Sequence, residues 1–329
     1  MDLDLRTYEL SVIMIVNNGE LYIEKAIRSI LDQTYFNFEF LILNDGSTDR
    51  SEEIILSYQK KDQRIKYLKN SQKMGLSFAR NKIIKEASGK YIAVADSDDY
   101  SIKTRFEKQM EIMLSNTNID VLGSSVILMN DKDELFDTWF YPTSNSVIKK
   151  ELANSCSVAN PTCIFKKEVF EMINGYNESL TICEDWDFFY RASASFTFEN
   201  TTEAYIHYRI HNNNISKNKL EHTIVFSAYL KYKLKPSYAG FGLLQLSENF
   251  PEMKMFLAEK IIQFYTFWMD TYAKLGYDQL SKELYLSVIN NFFTLFSKDQ
   301  KLKFRKHCLS IFLKNKHFIE SFKIILNLN

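Results

Sequence analysis

The sequence predicts an α/β fold, with a Rossmann-like and mostly parallel sheet flanked by helices, followed by a helical C-terminal region. Between residues 9 and 100, short apolar runs rich in β-branched residues alternate with segments of helical periodicity. Beyond about residue 217, glycines become rare and aromatic-rich segments with helical spacing continue to residue 329. We therefore expect two parts, an α/β domain at residues 1–217 and a helical region at residues 218–329.

The first hundred residues alternate between predicted strands and helices. We expect strands at 10–16, 38–45, 64–70 and 91–96, and helices within 18–34, 47–61 and 76–87. The first helix carries apolar residues near helical spacing at Leu21, Ile23, Ala26, Ile27, Ile30 and Leu31. Right-handed strand–helix–strand connections make such strands parallel. Ligands of parallel sheets bind at the carboxyl ends of the strands.

The pattern between residues 101 and 217 is mixed. We expect helices at 105–115, 166–176 and 183–193 and a strand at 120–129, with Gly175 ending the second of these helices. Arg209 and His211 alternate with apolar residues and are therefore predicted to share one face of a strand.

Composition excludes several classes of protein. Lys plus Arg and Asp plus Glu number 41 each, so net charge does not indicate a nucleic-acid partner. The four cysteines form no CxxC pair, which favours reduced thiols in a cytoplasmic protein over a zinc or disulfide scaffold. The first residues lack the features of a signal peptide, and no apolar run is long enough to predict a membrane-spanning helix.

Acidic residues follow two of the predicted buried strands. Asp96, Asp98 and Asp99 follow "YIAVA", and Asp45 ends "LILND". Clustered carboxylates repel one another unless a cation neutralises them, and oxygen ligands suit Mg²⁺ or Mn²⁺. The alternative for each motif is a solvated turn whose acids cap the next helix.

Three further motifs carry candidate functional residues. Arg80 in "GLSFARN" is placed to pair with phosphate or with the acids, or it is a surface arginine. Glu184 and Asp185 in "CEDWDFFYR" provide a general base beside aromatic rings, or an acidic first helical turn. Arg209 and His211 in "HYRIHNNNIS" are placed to face a diphosphate, or His211 is a structural residue.

Together these motifs, with "SVIMIVNNGELYIEKAIRSILDQTY" before them, resemble in order and spacing the family 2 glycosyltransferases of the GT-A fold. The resemblance covers roughly residues 9 to 216, about two thirds of the chain. It implies that Asp185 is the catalytic base and that Glu184 supports it or touches the acceptor. The nucleotide-sugar set that it implies is Val16, Asp45, Arg80, Asp96, Ser97 and Arg209, and the metal set is Asp96, Asp98 and His211.

The resemblance also implies the reaction. A UDP-sugar, with Mn²⁺ or Mg²⁺, would donate its sugar to a hydroxyl of a glycan or lipid-linked acceptor, with inversion at the anomeric carbon. Asp45 would contact the uracil base, and Arg80 would lie near the base and phosphates. The usual setting is bacterial surface polysaccharide synthesis, such as capsule or lipopolysaccharide.

The sequence departs from the family pattern in three places. Residues 15–18, Ile-Val-Asn-Asn, stand where the first strand often ends in a "PxYN"-like run, and because the proline is missing the backbone contact to the base can differ. Asn44 replaces the first acid of a common "DDGS", and Asn160 occupies a position where histidine is frequent. The change at residue 160 affects what the resemblance implies about the acceptor.

The loop after the first predicted strand does not match two other classes of nucleotide-using enzyme. A dinucleotide-binding dehydrogenase needs a GxGxxG turn after the first strand, and a sugar-nucleotide pyrophosphorylase usually has a Gly-rich loop bearing Arg and Lys there. The residues present, "VNNGELYIEK", match neither. A catalytically inactive binding or scaffold module stays open, although the retention of Asp96, Asp98 and Asp185 together argues against it.

The C-terminal region lies outside the resemblance. Residues 298–329 are basic and amphipathic, which fits a helical subdomain that packs its aromatic stripe inward or forms a homo-oligomer contact. The alternative is peripheral contact with an anionic membrane surface, where a lipid-linked acceptor would lie. Residues 250–277 are interpreted as core or as a subunit interface.

Overall fold

A computed structural model describes residues 8–211, 220–232, 243–275 and 278–314 of the chain. The chain divides into two compact units, residues 1–210 and residues 211–329. The sequence placed the division at residue 217.

The described part of the first unit contains one nine-stranded sheet. Its strands are β1 (Leu10–Val16), β2 (Phe38–Asp45), β3 (Ile65–Asn70), β4 (Tyr91–Asp96), β5 (Tyr100–Ser101), β6 (Val121–Met129), β7 (Leu135–Trp139), β8 (Ile164–Lys166) and β9 (Phe198–Arg209). The order across the sheet is β3-β2-β1-β4-β8-β6-β9-β5, and β7 pairs with β6 outside this path.

The two halves of the sheet differ in strand direction. β3, β2, β1 and β4 are parallel, because each is joined to the next in sequence by a helix. β8 runs antiparallel to both β4 and β6, whereas β6 and β9 are parallel. Every residue of β2 is buried, since helices cover both faces of the sheet there, and β3 at the edge is partly exposed.

Seven helices lie among the described residues of the first unit. They are α1 (Ile23–Leu31), α2 (Ser51–Gln59), α3 (Leu76–Lys85), α4 (Arg105–Ser115), α5 (Asn145–Leu152), α6 (Lys167–Met172) and α7 (Glu184–Ala192). α1 buries Ile23, Ala26, Ile27 and Ile30 in the core that β1, β2 and β4 share, as their helical spacing predicts.

The structure corrects four details of the sequence prediction. Leu21 precedes α1 and is 77% exposed, because the helix begins two residues later. α6 ends at Met172, short of the predicted 176. The short strands β5, β7 and β8 were not predicted, because runs of two to five residues carry little periodicity. β9 ends at Arg209, so His211 does not share its strand face.

The described part of the second unit is helical. Its helices are α8 (Leu220–Tyr232), α9 (Leu243–Asn249), α10 (Lys254–Lys274), α11 (Asp278–Ser287) and α12 (Lys298–Lys314). α10 packs against α11 and α12 and buries Leu257, Ile261, Met269 and Tyr272, so part of the segment 250–277 is core of this unit. Its alternative role as a subunit interface stays a prediction. Among the described helices, none is long and apolar enough to cross a membrane.

The basic segment that begins at residue 298 is partly visible as α12. Phe304, Cys308 and Ile311 on one side of this helix are buried within the second unit, and Tyr285 of α11 stacks on Phe304 with ring centroids 5.8 Å apart. Residues 315–329 lie outside the described residues. Membrane contact and oligomerisation through this region stay predictions.

Candidate active site

Three carboxylates lie close together at the carboxyl end of β4. Asp96 ends β4, and the partly exposed Ser97 follows it. Asp98 and Asp99 come next, in the turn to β5. One oxygen from each aspartate lies within 4.8 Å of the others. Asp99 is 4% exposed, and its Oδ2 is buried with no hydrogen-bond partner among the residues that the structure describes. An orphaned carboxylate oxygen beside two further carboxylates fits a hard divalent cation such as Mg²⁺ or Mn²⁺.

The electrostatics of this cluster agree with a cation site. Burial raises the pKa of Asp96 to about 7; Asp98 adds to this increase and Arg80 opposes it. Burial, followed by the charges of Asp98 and Asp96, also raises the pKa of Asp99 well above its usual range. A bound cation would favour the ionised form of all three acids and reverse this penalty. Asp96, Asp98 and Asp99 could therefore hold a divalent metal ion.

Arg209 organises the turn that carries these acids. Its side chain is 1% exposed, its backbone N–H donates to Asp99 Oδ1 at 2.8 Å, and its Nε donates to the Asp98 carbonyl at 2.9 Å. Its guanidinium also donates to the Asn130 carbonyl and forms an ion pair with Asp133 at 2.7 Å. Arg209 thus braces the acidic turn, a role that the sequence did not indicate. His211 is the first residue of the second unit, and its assignment as a metal ligand stays a prediction.

Asp45, at the end of β2, is 2% exposed and holds the loop before α3. Its Oδ1 accepts hydrogen bonds from Asn70 Nδ2 at 2.7 Å and from Met74 N–H at 2.9 Å, and its Oδ2 accepts from Gly75 N–H at 3.0 Å. The predicted contact of Asp45 with a base stays a prediction. Gly46 follows with φ +70°, where a Cβ would lie 2.4 Å from the Gln72 carbonyl carbon.

The loop after β1 is tied to the loop after β2. Asn17 Nδ2 donates to the Asp45 carbonyl at 2.8 Å, and Asn18 Oδ1 accepts from Thr48 N–H at 2.8 Å. Asn18 adopts φ 57°, which asparagine tolerates better than most residues. Ile15 stands at the proline position of the family pattern, and these two amides stand at its last two positions. Val16, one residue earlier, is buried in β1 beside Asn44 of β2.

Arg80 of α3 and Glu184 of α7 form a buried ion pair. Both side chains are 6% exposed, and Arg80 Nη1 contacts Glu184 Oε1. The Arg80 guanidinium also lies 5.3 Å from the ring centroid of Tyr176. Burial disfavours the charged guanidinium, but Glu184 and then Tyr176 outweigh it, so the pKa of Arg80 is raised. Arg80 is therefore a fixed positive charge, and the sequence interpretation of a surface arginine is wrong.

Asp185 is the second residue of the same helix and lies in the field of this ion pair. Its Oδ1 accepts a hydrogen bond from Trp186 N–H at 2.8 Å. Burial raises the pKa of Asp185 to about 6; Glu184 adds to the increase and Arg80 opposes it. The charge of Asp185 in turn raises the pKa of Asp96, which places both acids in one electrostatic environment. A carboxylate with a pKa near 6 is well matched to general-base work near neutral pH.

An aromatic group borders the site and was not predicted. Phe136, Trp139, Tyr141 and Tyr208 pack around a small cluster of Val126, Leu128, Ala159 and Ile206. Burial raises the pKa of Tyr208, with further increases from Asp99, Asp98 and Asp96, so this hydroxyl lies near the acidic turn. Tyr141 similarly feels the charge of Asp185. The sequence could not reveal this group, because its members lie on β7, β9 and a loop that meet only in the folded sheet.

Comparison with solved structures identifies the fold. S. aureus TarS residues 1–349 in complex with UDP superposes with a TM-score of 0.55 at 19% identity, covering 87% of this chain and 90% of that one. The mannosyltransferase PcManGT from Pyrobaculum calidifontis, in complex with GDP-Man and Mn²⁺, gives a TM-score of 0.54 at 12% identity, covering 96% and 89%. The sheet, the acidic turn and these likenesses define a GT-A fold.

Sequence comparison identifies the family. The family described as "Glycosyl transferase family 2" matches residues 11–173. The O-antigen biosynthesis glycosyltransferase WbnJ of Escherichia coli is 33% identical over 231 residues, which is 69% of this chain and 89% of WbnJ. The chain belongs to glycosyl transferase family 2 and is a glycosyltransferase.

Proposed function

We propose that this chain is an inverting glycosyltransferase that moves a sugar from a UDP-sugar, with a divalent metal ion, to a hydroxyl of a glycan or lipid-linked acceptor. The observation that carries the proposal is the convergence of Asp96, Asp98 and Asp99 within 4.8 Å at the end of β4. Asp185 shares the electrostatic environment of that cluster, so a cation site and a candidate base belong to one region.

The acidic turn would hold Mn²⁺ or Mg²⁺ through Asp98 and Asp99, with Asp96 as a further ligand or as a contact to the ribose. A metal bound there supplies Lewis-acid stabilisation of the charge that develops on a departing diphosphate. Arg209 keeps the turn in place through the Asp98 carbonyl and the Asp99 carboxylate. Arg80 adds a permanent positive charge, but Glu184 already pairs with it, so it stabilises the diphosphate at longer range.

Asp185 would act as the general base. Its carboxylate takes the proton of the acceptor hydroxyl while that oxygen attacks the anomeric carbon. The bond from this carbon to the diphosphate oxygen breaks, and UDP leaves. One displacement inverts the anomeric carbon, so an α-linked donor gives a β-linked product. A well-placed base contributes about 10²–10⁴ in rate.

The donor and setting are proposed from relatives. TarS has been crystallised with UDP, and PcManGT with GDP-Man and Mn²⁺. WbnJ acts in O-antigen biosynthesis by name. With Asp45 as the acid expected near the base, TarS supports a UDP-sugar donor, PcManGT supports a nucleotide sugar with a divalent metal, and WbnJ supports a role in surface polysaccharide synthesis.

A donor screen tests the proposal. Thermal stability and release of the nucleoside diphosphate are measured with UDP-glucose, UDP-galactose, UDP-GlcNAc, UDP-GalNAc and GDP-mannose, each with Mn²⁺ or EDTA. Wild type is compared with Asp185→Asn and with the control Asp32→Asn, an exposed aspartate after α1. We expect one UDP-sugar to stabilise all three proteins only with Mn²⁺, and to release UDP from wild type and control only.

Two outcomes would contradict the proposal. If no UDP-sugar binds with Mn²⁺ present, the assignment of the donor fails. If one binds but wild type releases no UDP with or without glycan acceptors, the chain is a non-catalytic binding module. The anomeric configuration of the product, measured by NMR, tests inversion separately.

A further inference from the structure

A buried carboxamide lies in a 3₁₀ helix that packs against β4. Asn160 begins the short 3₁₀ helix Asn160–Thr162, just before β8, and is 3% exposed. Neither its Oδ1 nor its Nδ2 has a hydrogen-bond partner among the residues that the structure describes. The neighbouring Thr162 is fully engaged, since its hydroxyl accepts from Ser124 N–H at 3.0 Å and donates to the Ala159 carbonyl at 2.7 Å.

Such an amide is unusual in a folded protein. A carboxamide offers two donor hydrogens and an acceptor oxygen. More than about nine tenths of buried polar groups have a partner, and leaving one unpaired costs about 1–3 kcal/mol. An apolar residue of similar size would avoid this penalty. The amide therefore needs a partner other than the residues that the structure describes.

The pairing of β8 with β4 brings the preceding 3₁₀ helix against β4. β8 runs antiparallel to β4, with Ala93 opposite Ile164, and Val94 N–H donates to the Cys163 carbonyl at 3.0 Å. The 3₁₀ helix Asn160–Thr162, which ends just before Cys163, packs against β4, the strand that Asp96 ends. Ala159, the residue before Asn160, packs in the small apolar cluster that Trp139, Tyr141 and Tyr208 border.

We propose that the Asn160 carboxamide hydrogen-bonds a hydroxyl of the transferred sugar and thereby helps to select the donor. This inference rests on the proposed function, because the sugar of a UDP-sugar is bonded directly to the diphosphate that the acidic turn would bind. A sugar hydroxyl both donates and accepts, which matches the Oδ1 and Nδ2 that Asn160 leaves unpaired. Asn160 is a specificity-determining residue in this proposal and takes no part in proton transfer.

The test compares UDP with the UDP-sugar. Dissociation constants with Mn²⁺ are measured by calorimetry for UDP and for whichever of UDP-glucose, UDP-galactose, UDP-GlcNAc or UDP-GalNAc binds wild type best. For Asn160→Leu we expect UDP affinity within about 2-fold of wild type and UDP-sugar affinity reduced about 10- to 100-fold, the range for an unpaired buried polar group. The unfolding temperature should be unchanged or higher, because an unpaired buried amide is removed.

A matched control is another buried asparagine of the same unit. Asn200 is 1% exposed, and its Nδ2 donates to the carbonyls of Pro142 at 2.7 Å and Ser157 at 3.0 Å. Asn200→Ala should lower the unfolding temperature and leave the ratio of UDP-sugar to UDP affinity unchanged. Deoxy analogues of the sugar then identify the hydroxyl, because the analogue that lacks it should bind wild type and Asn160→Leu equally well.

Each remaining outcome overturns the inference. Equal weakening of UDP and UDP-sugar would mean that Asn160→Leu disturbs the whole site. An unchanged affinity ratio, with or without a lower unfolding temperature, would assign the amide a structural role. If wild type binds no UDP-sugar with Mn²⁺, the proposed function itself fails, and the wild-type measurement alone reports that.

Discussion

Replacement of Asp185 by asparagine should make the protein more stable and far less active. Folding raises the pKa of this acid from 3.8 to about 6, and each pKa unit corresponds to about 1.4 kcal/mol. The ionised carboxylate therefore destabilises the fold by up to about 3 kcal/mol above pH 6. Asparagine keeps an oxygen that can accept from Trp186 N–H. We expect Asp185→Asn to raise the free energy of unfolding by about 1–3 kcal/mol at pH 8.

The stability gain of Asp185→Asn over wild type should depend on pH. Between pH 3.8 and about 6 the folded state of wild type binds the proton of Asp185 more tightly than the unfolded state does. The contribution of Asp185 to the free energy of unfolding of the wild type is therefore greatest below pH 3.8 and falls as the pH rises towards and through about 6. The advantage of Asp185→Asn should be small at pH 4.5 and complete at pH 8.

Urea unfolding in EDTA, followed by tryptophan fluorescence, measures the difference, because a bound cation would itself shift the pKa of Asp185. The pH profile of kcat/KM provides the second readout. Wild type should lose activity below about pH 6, and kcat should fall about 10²–10⁴-fold in the variant. A less stable variant at pH 8, or a stability difference that does not change with pH, would refute the argument that burial of this charge is penalised.

Three further predictions concern the turns of the site. Asp98→Asn should abolish the Mn²⁺-dependent rise in unfolding temperature with UDP and leave the metal-free value within a few degrees; a persistent Mn²⁺ effect would exclude this acid as a ligand. Arg209→Met should lower the free energy of unfolding in urea by about 1–3 kcal/mol, since the Asp98 and Asn130 carbonyls lose this donor and Asp133 loses an ion-pair partner; a loss below about 0.5 kcal/mol would contradict its bracing role. Gly46→Ala should destabilise by more than about 3 kcal/mol, because a Cβ meets the Gln72 backbone at 2.4 Å in addition to the strain of its positive φ, whereas Gly75→Ala, with no atom within 4 Å, should lose about 1–3 kcal/mol from backbone strain alone, since φ 97° and ψ 158° are adopted almost only by glycine; equal losses would show that the clash is relieved.

Local sequence patterns predicted the first half of the fold. β1, β2 and β4 are short apolar runs, and the ends of these runs coincide with the ends of the strands. Helices cover both faces of the sheet here, so polar residues are found only where the strand extends past the helices. The acids at the ends of β2 and β4 were predicted at the same edge of the sheet, since parallel strands expose their carboxyl ends together. α3 and α7 were also predicted close to their observed bounds.

The second half of the sheet was harder to predict. β8 has three residues and β5 has two, so neither shows a period that distinguishes it from a loop. Their strand character comes from pairing with β4 and β9, which are distant in sequence. Placing the 3₁₀ helix of Asn160 against β4 required the antiparallel pairing of β4 with β8.

The sequence by itself determined the strand–helix alternation, the positions of the acids at the strand ends and the family to which the chain belongs, because periodicity and motif order are local properties. Only the tertiary structure decided how the side chains are engaged. It buried Arg80 against Glu184 and Arg209 against the acidic turn, and it left the Asn160 amide without a partner among the described residues. Burial and pairing depend on contacts between residues about 100 positions apart, and no local pattern specifies which distant group will meet a given charge.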